Sequence, residues 1–189
     1  MYVHFSKDST LKIIKIKNNN EFEEIQIIKN EHNNLITKII ELKNENLITF
    51  SADCSFKIWK LNNNNKYEKI DEFKDSNELS DGLEIKDNEI ILYALDTNPQ
   101  SFVFYNLNKN EKIKTLNNLN LMTGFGERTI KLYDEEIAVA GYKKVYLIDI
   151  NKYLILNEIN TDYSNFIILK LSNNLFLIGD NNVQLLNIE

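Results

Sequence analysis

Short apolar runs alternate with polar turns along the chain, and the runs come in closely spaced pairs. Residues 90–95 form one apolar run that ends at Asp96, and a second run follows at 102–105. The same arrangement recurs at 137–141 with 145–149 and at 176–180 with 183–186. No segment keeps the helical period of roughly 3.6 residues. The pattern predicts tight hairpins of mostly buried strands in an all-β protein.

Each pair is flanked by two further apolar segments that complete a four-stranded unit. Segments with period-two alternation follow the pairs at 22–27, 67–73 and 112–116. Short apolar segments precede them at 36–42, 83–85, 129–133 and 167–171. The following segments are predicted as half-exposed outer strands and the preceding ones as innermost strands. Four antiparallel strands in a unit of roughly 40 residues are typical of a β-propeller blade.

One pair of segments shows the repeat in its residues. Residues 3–16 (VHFSKDSTLKIIKI) align with residues 48–61 (ITFSADCSFKIWKL), an offset of 45 residues. The pattern divides the single predicted domain, 1–189, into units at approximately 1–30, 31–75, 76–120, 121–163 and 164–189. The first unit lacks its first strand and the last unit lacks its last. The prediction is therefore a β-propeller array of about eighteen strands, or about four and a half four-stranded antiparallel blades.

Three arrangements fit an array whose first and last blades are incomplete. The chain is a fragment of a longer propeller, or a five-bladed ring with two incomplete sheets, or an open ring that a partner or a second copy completes. Because unpaired strand edges favour association, self-association or completion by another chain is expected of the open form.

The second unit carries four polar and aromatic residues at characteristic positions. His32 precedes the innermost strand, and Ser51 and Asp53 end the second strand. Trp59 lies six residues beyond that aspartate. This unit resembles a WD repeat, although Glu31 stands where the family has glycine. The resemblance implies a structural role for the four side chains, as a hydrogen-bonded chain in the order Trp59, Ser51, His32 and Asp53.

The resemblance covers all units as architecture but is specific only in the second. Lys60 replaces the aspartate of the family's Trp-Asp pair. In the other units the position of the tryptophan is taken by Ile14, Tyr105, Ile148 and Leu186. The array is therefore expected to contain one regular repeat and several divergent ones.

Several side chains invite a catalytic or ligand-binding interpretation that their context disfavours. Ser51, His32 and Asp53 are the residue types of a hydrolase triad, but Ser51 lies inside a predicted strand without a strained turn or oxyanion donors. Cys54 has no closely following histidine to activate it and is predicted to be a small turn residue. The acidic run 134–136 is predicted as a solvated turn. No catalysis, metal or cofactor is expected.

Composition narrows the environment and the partners. The formal net charge of −6 and the sequence pI of about 5.1 leave no basic stripe for nucleic acid. No apolar run approaches the roughly 20 residues of a membrane helix, so no membrane partner is expected. The single cysteine, Cys54, has no partner for an internal disulfide, which favours a reducing compartment. The cytoplasm is predicted, with the nucleus as the alternative.

The WD-repeat resemblance implies a scaffold that binds protein partners and has no catalytic activity. Loops on a rigid frame are where binding residues concentrate. The alternatives are a propeller-type enzyme, a carbohydrate-binding lectin, or a structural segment of a larger propeller subunit. The candidate partner-binding positions are in the predicted loops, at Lys7, Cys54, Asn98, Pro99, Tyr142, Lys143 and Asn181.

Overall fold

The protein is all-β. The computed structural model describes residues 2–5, 9–17, 21–74, 79–94, 100–119, 129–133, 135–161, 167–171, 175–179 and 183–187. Within these ranges the chain forms eighteen strands and no helix. Accordingly, the described part of the chain has no helix that is long and apolar enough to cross a membrane.

The strands form five antiparallel sheets, named here blades 1 to 5, in which strands adjacent in sequence are paired. Blade 1 contains β1 (Tyr2–Phe5), β2 (Leu11–Ile16) and β3 (Phe22–Ile28). Blade 2 contains β4 (Ile36–Glu41), β5 (Leu47–Ser51), β6 (Ser55–Leu61) and β7 (Tyr67–Lys74). Blade 3 contains β8 (Leu79–Lys86), β9 (Glu89–Ala94), β10 (Gln100–Asn106) and β11 (Glu111–Leu119). Blade 4 contains β12 (Thr129–Lys131), β13 (Glu136–Gly141), β14 (Lys144–Asp149) and β15 (Leu154–Asn160). Blade 5 contains β16 (Ile167–Lys170), β17 (Leu175–Gly179) and β18 (Val183–Asn187).

This arrangement confirms the predicted fold class. Across the described residues, three sheets have four strands, and the first and last sheets have three. The chain divides into two compact units, residues 1–80 and 81–189. The single-domain assignment and the three explanations for the incomplete blades stay predictions.

The two middle strands of a blade are more buried than its outer strand, as the hydrophobic pattern predicts. Every residue of β5 is buried, and so are five of the six residues of β13. By contrast, β15 has no fully buried residue, and β3 has one. A middle strand is covered on both faces, so continuous apolar runs are stable there, whereas the outer strands are largely exposed.

Within residues 1–80, blades 1 and 2 share one hydrophobic core. Blade 1 contributes Leu11, Ile13 and Ile28. Blade 2 contributes Ile36, Leu47, Trp59 and Tyr67. All seven side chains are buried, with exposed fractions of 9% or less, so the packing of these two sheets removes a large apolar area from water.

A side-chain amide also joins blades 1 and 2. Gln26 on β3 donates from Nε2 to the carbonyl oxygen of Tyr67 at 2.9 Å. Its Oε1 accepts from the backbone N–H of the same residue at 2.7 Å. One glutamine thus satisfies both backbone groups of Tyr67 at the start of β7, in the way a neighbouring strand would.

We expect Gln26→Ala to lower the free energy of unfolding by about 2 kcal/mol, because it leaves the N–H and C=O of Tyr67 without these partners. Urea unfolding followed by circular dichroism measures the change. Glu23→Ala on the same strand is the matched control, since it removes an exposed ion pair with Lys17 at 3.5 Å that contributes little. Equal losses in the two variants would contradict the role given to Gln26.

Within residues 81–189, two cores join consecutive blades. Blades 3 and 4 share a core that includes Ile91, Tyr93, Phe102, Phe104, Val139, Tyr146 and Ile148. Blades 4 and 5 share a smaller core that includes Leu132, Ala138, Ala140, Val145, Leu147 and Ile168. In the first, the rings of Tyr93 and Phe102 meet edge to face with centroids 5.2 Å apart, a favourable aromatic geometry.

One extra residue interrupts each outer strand at an equivalent place. On β3, Ile13 pairs with Gln26 and Ile14 with Glu24, so Ile25 is a β-bulge. The other outer strands carry the same irregularity at Ile70, Ile113 and Leu156. Bulges are built-in features that bend a strand and increase its twist. The period-two pattern predicted the outer strands but not these bulges, which repeat at intervals of 45, 43 and 43 residues.

Candidate functional site

The loop before β4 and the turn between β5 and β6 meet at one end of blade 2. His32 in the loop lies with its Nδ1 3.1 Å from Oδ2 of Asp53 in the turn. The backbone N–H of Asn33 donates to the same carboxylate oxygen at 2.8 Å. These two contacts fix the loop to the turn, and we call residues 30–35 with 52–54 the loop end of blade 2.

A buried hydrogen-bonded chain supports the loop end from below. Trp59 on β6 donates from its indole Nε1 to Oγ1 of Thr49 on β5 at 3.0 Å. The same hydroxyl oxygen lies 2.8 Å from Nε2 of His32. Thr49, His32 and Trp59 are each 3% exposed or less. Since a buried indole N–H needs an acceptor, Thr49 connects the tryptophan to the loop end.

Ser51, expected from the sequence between Trp59 and His32, does not occupy that place. Its Oγ donates to the carbonyl oxygen of Asn34 at 3.2 Å and accepts from the N–H of Asp53 at 3.1 Å. The register explains the correction. Leu47 pairs with Trp59, so the diagonal neighbour of Trp59 on the same face is two residues along β5, whereas Ser51 is four residues along.

The surroundings of Ser51 also decide whether it could act as the nucleophile of a hydrolase triad. Ser51 is fully buried, with 0% exposed, and its hydroxyl proton is directed to the carbonyl of Asn34. A nucleophile needs a base within hydrogen-bond reach and an open approach for substrate. Ser51 therefore lacks the geometry of a nucleophile.

Four donors converge on the carboxylate of Asp53. Ser55 donates from its backbone N–H and its hydroxyl to Oδ1, and Asn33 and His32 approach Oδ2. Burial alone would raise the pKa of Asp53. The hydrogen bonds from Ser55 and Asn33, together with His32, outweigh burial and lower the pKa to about 2.

His32 is neutral at pH 7. Burial lowers its pKa below the ordinary value of 6.5, although Asp53 opposes the shift. The contact with Asp53 is therefore a hydrogen bond from the neutral ring and not an ion pair. Because the Asp53 carboxylate only accepts, Nδ1 carries the proton and Nε2 accepts from the Thr49 hydroxyl. The chain of donors then runs in one direction from Trp59 to Asp53.

A group of alternating charges lies beside this chain. The Lys57 side chain is only 5% exposed, and its Nζ lies 3.4 Å from Glu72 and 3.7 Å from Glu31. It also donates to the carbonyl oxygen of Glu31. Lys69 lies 2.8 Å from Glu31 and 3.2 Å from Glu72. Each of these four charges lies near two charges of opposite sign. For Lys57, this attraction offsets the desolvation cost of burying its ammonium group.

These contacts give Glu31 a structural purpose. The hydrogen bond from Lys69, with the charge of Lys57 behind it, holds the pKa of Glu31 below its ordinary value. Burial would raise the pKa of Glu72, but hydrogen bonds from Lys69 and Lys57 lower it. Glu31 thus links the loop to β6 and β7 through Lys57 and Lys69, a connection that the family's glycine would not make.

The structure describes three of the seven positions proposed for partner binding. Cys54 lies in the loop end, half-buried, with a left-handed backbone at φ 66°. Tyr142 and Lys143 form the turn between β13 and β14, where Lys143 is also left-handed at φ 53° and Tyr142 is 41% exposed. The remaining four lie outside the described residues: Lys7, Asn98, Pro99 and Asn181.

Sequence reasoning missed Thr49, Ser55 and Lys57 as members of the site. The sequence could have indicated Thr49, which lies four residues before Asp53. In a strand, residues two apart lie on the same face, so the hydroxyl of Thr49 shares a face with that of Ser51. Within the described ranges no three His, Cys, Asp or Glu side chains gather as a metal site requires.

The solved structures that this chain resembles include the WD40 β-propeller domain of Doa1, with a TM-score of 0.73 and 16% sequence identity. That match covers 99% of this chain and 60% of the other. The fold is that of a WD40 β-propeller. Sqt1 of Saccharomyces cerevisiae is also similar, with a TM-score of 0.74, 11% identity and coverage of 96% of this chain and 54% of the other.

This chain therefore spans a little over half of the length of the two matched chains. No protein-family model matches the sequence, and no curated protein matches it either. With 895 solved chains matching, the likeness identifies an architecture that many proteins share and not an activity.

Proposed function

We propose that the protein is a protein-binding scaffold that holds its partner at the loop end of blade 2. WD40 propellers are in general a fold of interaction scaffolds. Their blades form a rigid frame, and loops on such a frame carry the binding residues. In this protein, the fold holds the short polar loop at the loop end of blade 2 in a fixed position.

The observation that carries the proposal is the contrast between buried support and exposed surface at the loop end. His32 and Thr49 are buried, and they connect the loop to the centre of blade 2. Asn33 and Asn34, the residues directly after His32, are exposed. A partner that binds these amides meets a loop already held in place, so little conformational entropy is lost on binding.

The charges beside the loop end define the partner's chemistry further. Glu31, Lys69 and Glu72 are each 30–35% exposed at the side chain, with both signs represented. A surface of amides and paired charges matches a polar protein surface. It does not match the phosphate backbone of nucleic acid, which a chain of net charge −6 repels.

The environment we propose is the cytoplasm, with the nucleus as the alternative. Cys54 is the single cysteine of the sequence, so the chain forms no internal disulfide. Disulfides are rare in reducing compartments.

The experiment is site-specific photo-crosslinking in extract of the source cells. A photoreactive amino acid replaces Asn33 at the loop end or Asn63 in the turn between β6 and β7. Both positions are exposed, but β6 runs away from the loop end, so Asn63 lies at the opposite end of blade 2. We expect a protein crosslink from position 33 that is several-fold stronger than the crosslink from position 63.

A second pair of variants tests the same contact without a crosslinker. The double variant with Asn33→Lys and Asn34→Lys should no longer co-purify with the protein that crosslinks to position 33. The control double variant with Asn63→Lys and Asn64→Lys should still co-purify with that protein. Equal crosslinking from the two ends of the blade, or a partner retained by the loop-end variant, would show that binding occurs elsewhere.

A further inference from the structure

One pair of facing residues in the middle strands of blade 2 is polar, whereas the equivalent pairs in blades 3 and 4 are apolar or aromatic. In blade 2, Thr49 pairs with Lys57, two positions from the pair that contains Trp59. Counted in the same way from the residues that replace Trp59, the equivalent pairs are Leu92 with Val103 and Val139 with Tyr146. All four of these residues are buried, with exposed fractions of 2% or less. The blade fold therefore does not require a charge at this position.

The ammonium group of Lys57 has a desolvation cost that an apolar side chain would avoid. Its side chain is only 5% exposed, so the charge has lost most of its contact with water. The nearby carboxylates offset this cost, but replacing a buried ion pair by well-packed hydrophobic residues is often neutral or stabilising. The stability of blade 2 alone therefore does not account for a lysine at this position.

Lys57 binds the loop directly before its exposed part. Its Nζ donates to the backbone carbonyl oxygen of Glu31 and lies 3.7 Å from the carboxylate of the same residue. Both the backbone and the side chain of Glu31 are thus fixed to β6. The exposed Asn33 and Asn34 follow within three residues, so the place of Glu31 determines where these amides lie.

Other side chains hold the rest of the same loop. The carboxylate of Asp53 holds its middle, through the contacts described above. Next to β4, the carbonyl oxygen of Asn34 accepts from the hydroxyl of Ser51 at 3.2 Å and from that of Ser9 in blade 1 at 2.5 Å. At the end next to β3, the described side chain that binds the backbone is Lys57. Loss of its ammonium group would therefore release one end of the loop and leave the other contacts in place.

We propose that Lys57 is a positioning residue of the loop end, which holds the loop in the conformation that the partner binds and adds nothing to the stability of blade 2. The inference rests on the proposed function, because it assumes that a partner binds at the loop end. Lys57 is buried, so it acts through Glu31 and does not touch the partner. A loop that is free at one end loses more conformational entropy on binding, which weakens the affinity.

Lys57→Met tests the proposal, because methionine replaces the charged side chain by an apolar one of similar length. The carboxylates of Glu31 and Glu72 are 35% and 30% exposed and keep Lys69 as a partner, so no charge is left buried and unpaired. We expect a urea midpoint equal to or above that of the wild type. Hydrogen exchange of residues 29–36, measured by mass spectrometry, should become about tenfold faster, the scale of one lost hydrogen bond from a charged group. The protein crosslink from position 33 should become several-fold weaker.

Lys12→Met is the matched control. Lys12 stands 45 residues before Lys57 in the aligned segment of blade 1, where it forms an exposed ion pair with Glu24 at 3.7 Å. This variant should leave both the exchange of residues 29–36 and the crosslink unchanged.

Three results for Lys57→Met would overturn the positioning role: a clearly lowered urea midpoint, loop exchange at the wild-type rate, or an undiminished crosslink from a loop that exchanges faster. A wild-type chain that gives no crosslink from position 33 would instead overturn the proposed binding at the loop end. The exchange rates would then still decide whether Lys57 orders the loop, since they are measured without a partner.

Discussion

Thr49→Val lowers the free energy of unfolding by about 3 kcal/mol, although valine has nearly the same shape as threonine. The substitution removes the hydroxyl that accepts from the Trp59 indole at 3.0 Å and lies 2.8 Å from His32 Nε2. Both partners are buried, so two polar groups lose their hydrogen bonds without gaining water. Urea unfolding at pH 7, followed by the fluorescence of the single tryptophan, measures the loss.

Two companion variants separate the hydroxyl of Thr49 from its neighbours. Thr49→Ser keeps the hydroxyl and should lose only about 1 kcal/mol, for the missing methyl group. Ser51→Ala breaks the contacts to Asn34 and Asp53 and should cost about 1 kcal/mol. A loss for Ser51→Ala that exceeds the loss for Thr49→Val would restore Ser51 as the residue between His32 and Trp59.

Stability also falls in two stages as the pH is lowered. The pKa of His32 is below 6.5 in the folded protein. The unfolded chain therefore takes up a proton first, and stability begins to decline below pH 6.5. The pKa of Asp53 is about 2, against 3.8 ordinarily. The ionised Asp53 contributes about 2 kcal/mol to the free energy of unfolding. This contribution is complete above pH 3.8 and is lost as the pH falls towards 2.

The urea midpoint measured at intervals from pH 8 to pH 2.5 tests both stages. Asp53→Asn should lower stability by about 2 kcal/mol at pH 7 and flatten the decline below pH 3.8. Asp71→Asn, at an exposed position of β7, is the control and should follow the wild-type curve. If stability of the Asp53→Asn variant still declines below pH 3.8 as steeply as that of the wild type, the decline arises from other groups. Glu31 and Glu72 are candidates, because their pKa values are also lowered.

The strand arrangement was predictable because burial in a blade follows directly from the hydrophobic pattern. The middle strands are covered on both sides, so runs such as residues 90–94 are apolar throughout, and all five residues are buried. The outer strands are largely exposed and carry many polar residues. This contrast was enough to predict the eighteen strands and the three-stranded sheets at both ends of the array.

The site was less predictable because it depends on register. Thr49 and Ser51 are both hydroxyl residues on one face of β5, and only the pairing of Leu47 with Trp59 decides which of them reaches the indole. Lys57 is a charged residue within a middle strand, where the pattern predicts buried apolar side chains. Its burial depends on Glu31 and Glu72, which come from separate strands and loops, and contacts between distant segments leave no period in the sequence.

The bulges of the outer strands have a consequence for the behaviour of the protein at high concentration. A long, straight outer strand offers a row of free backbone groups on which a strand of another molecule can form, which is a route to aggregation. Ile25 and Ile70 break that row near the middle of β3 and β7. Ile113 and Leu156 break it at the third residue of β11 and β15. Each outer edge is thereby divided into short stretches of different twist, too short to seed a fibril-like sheet.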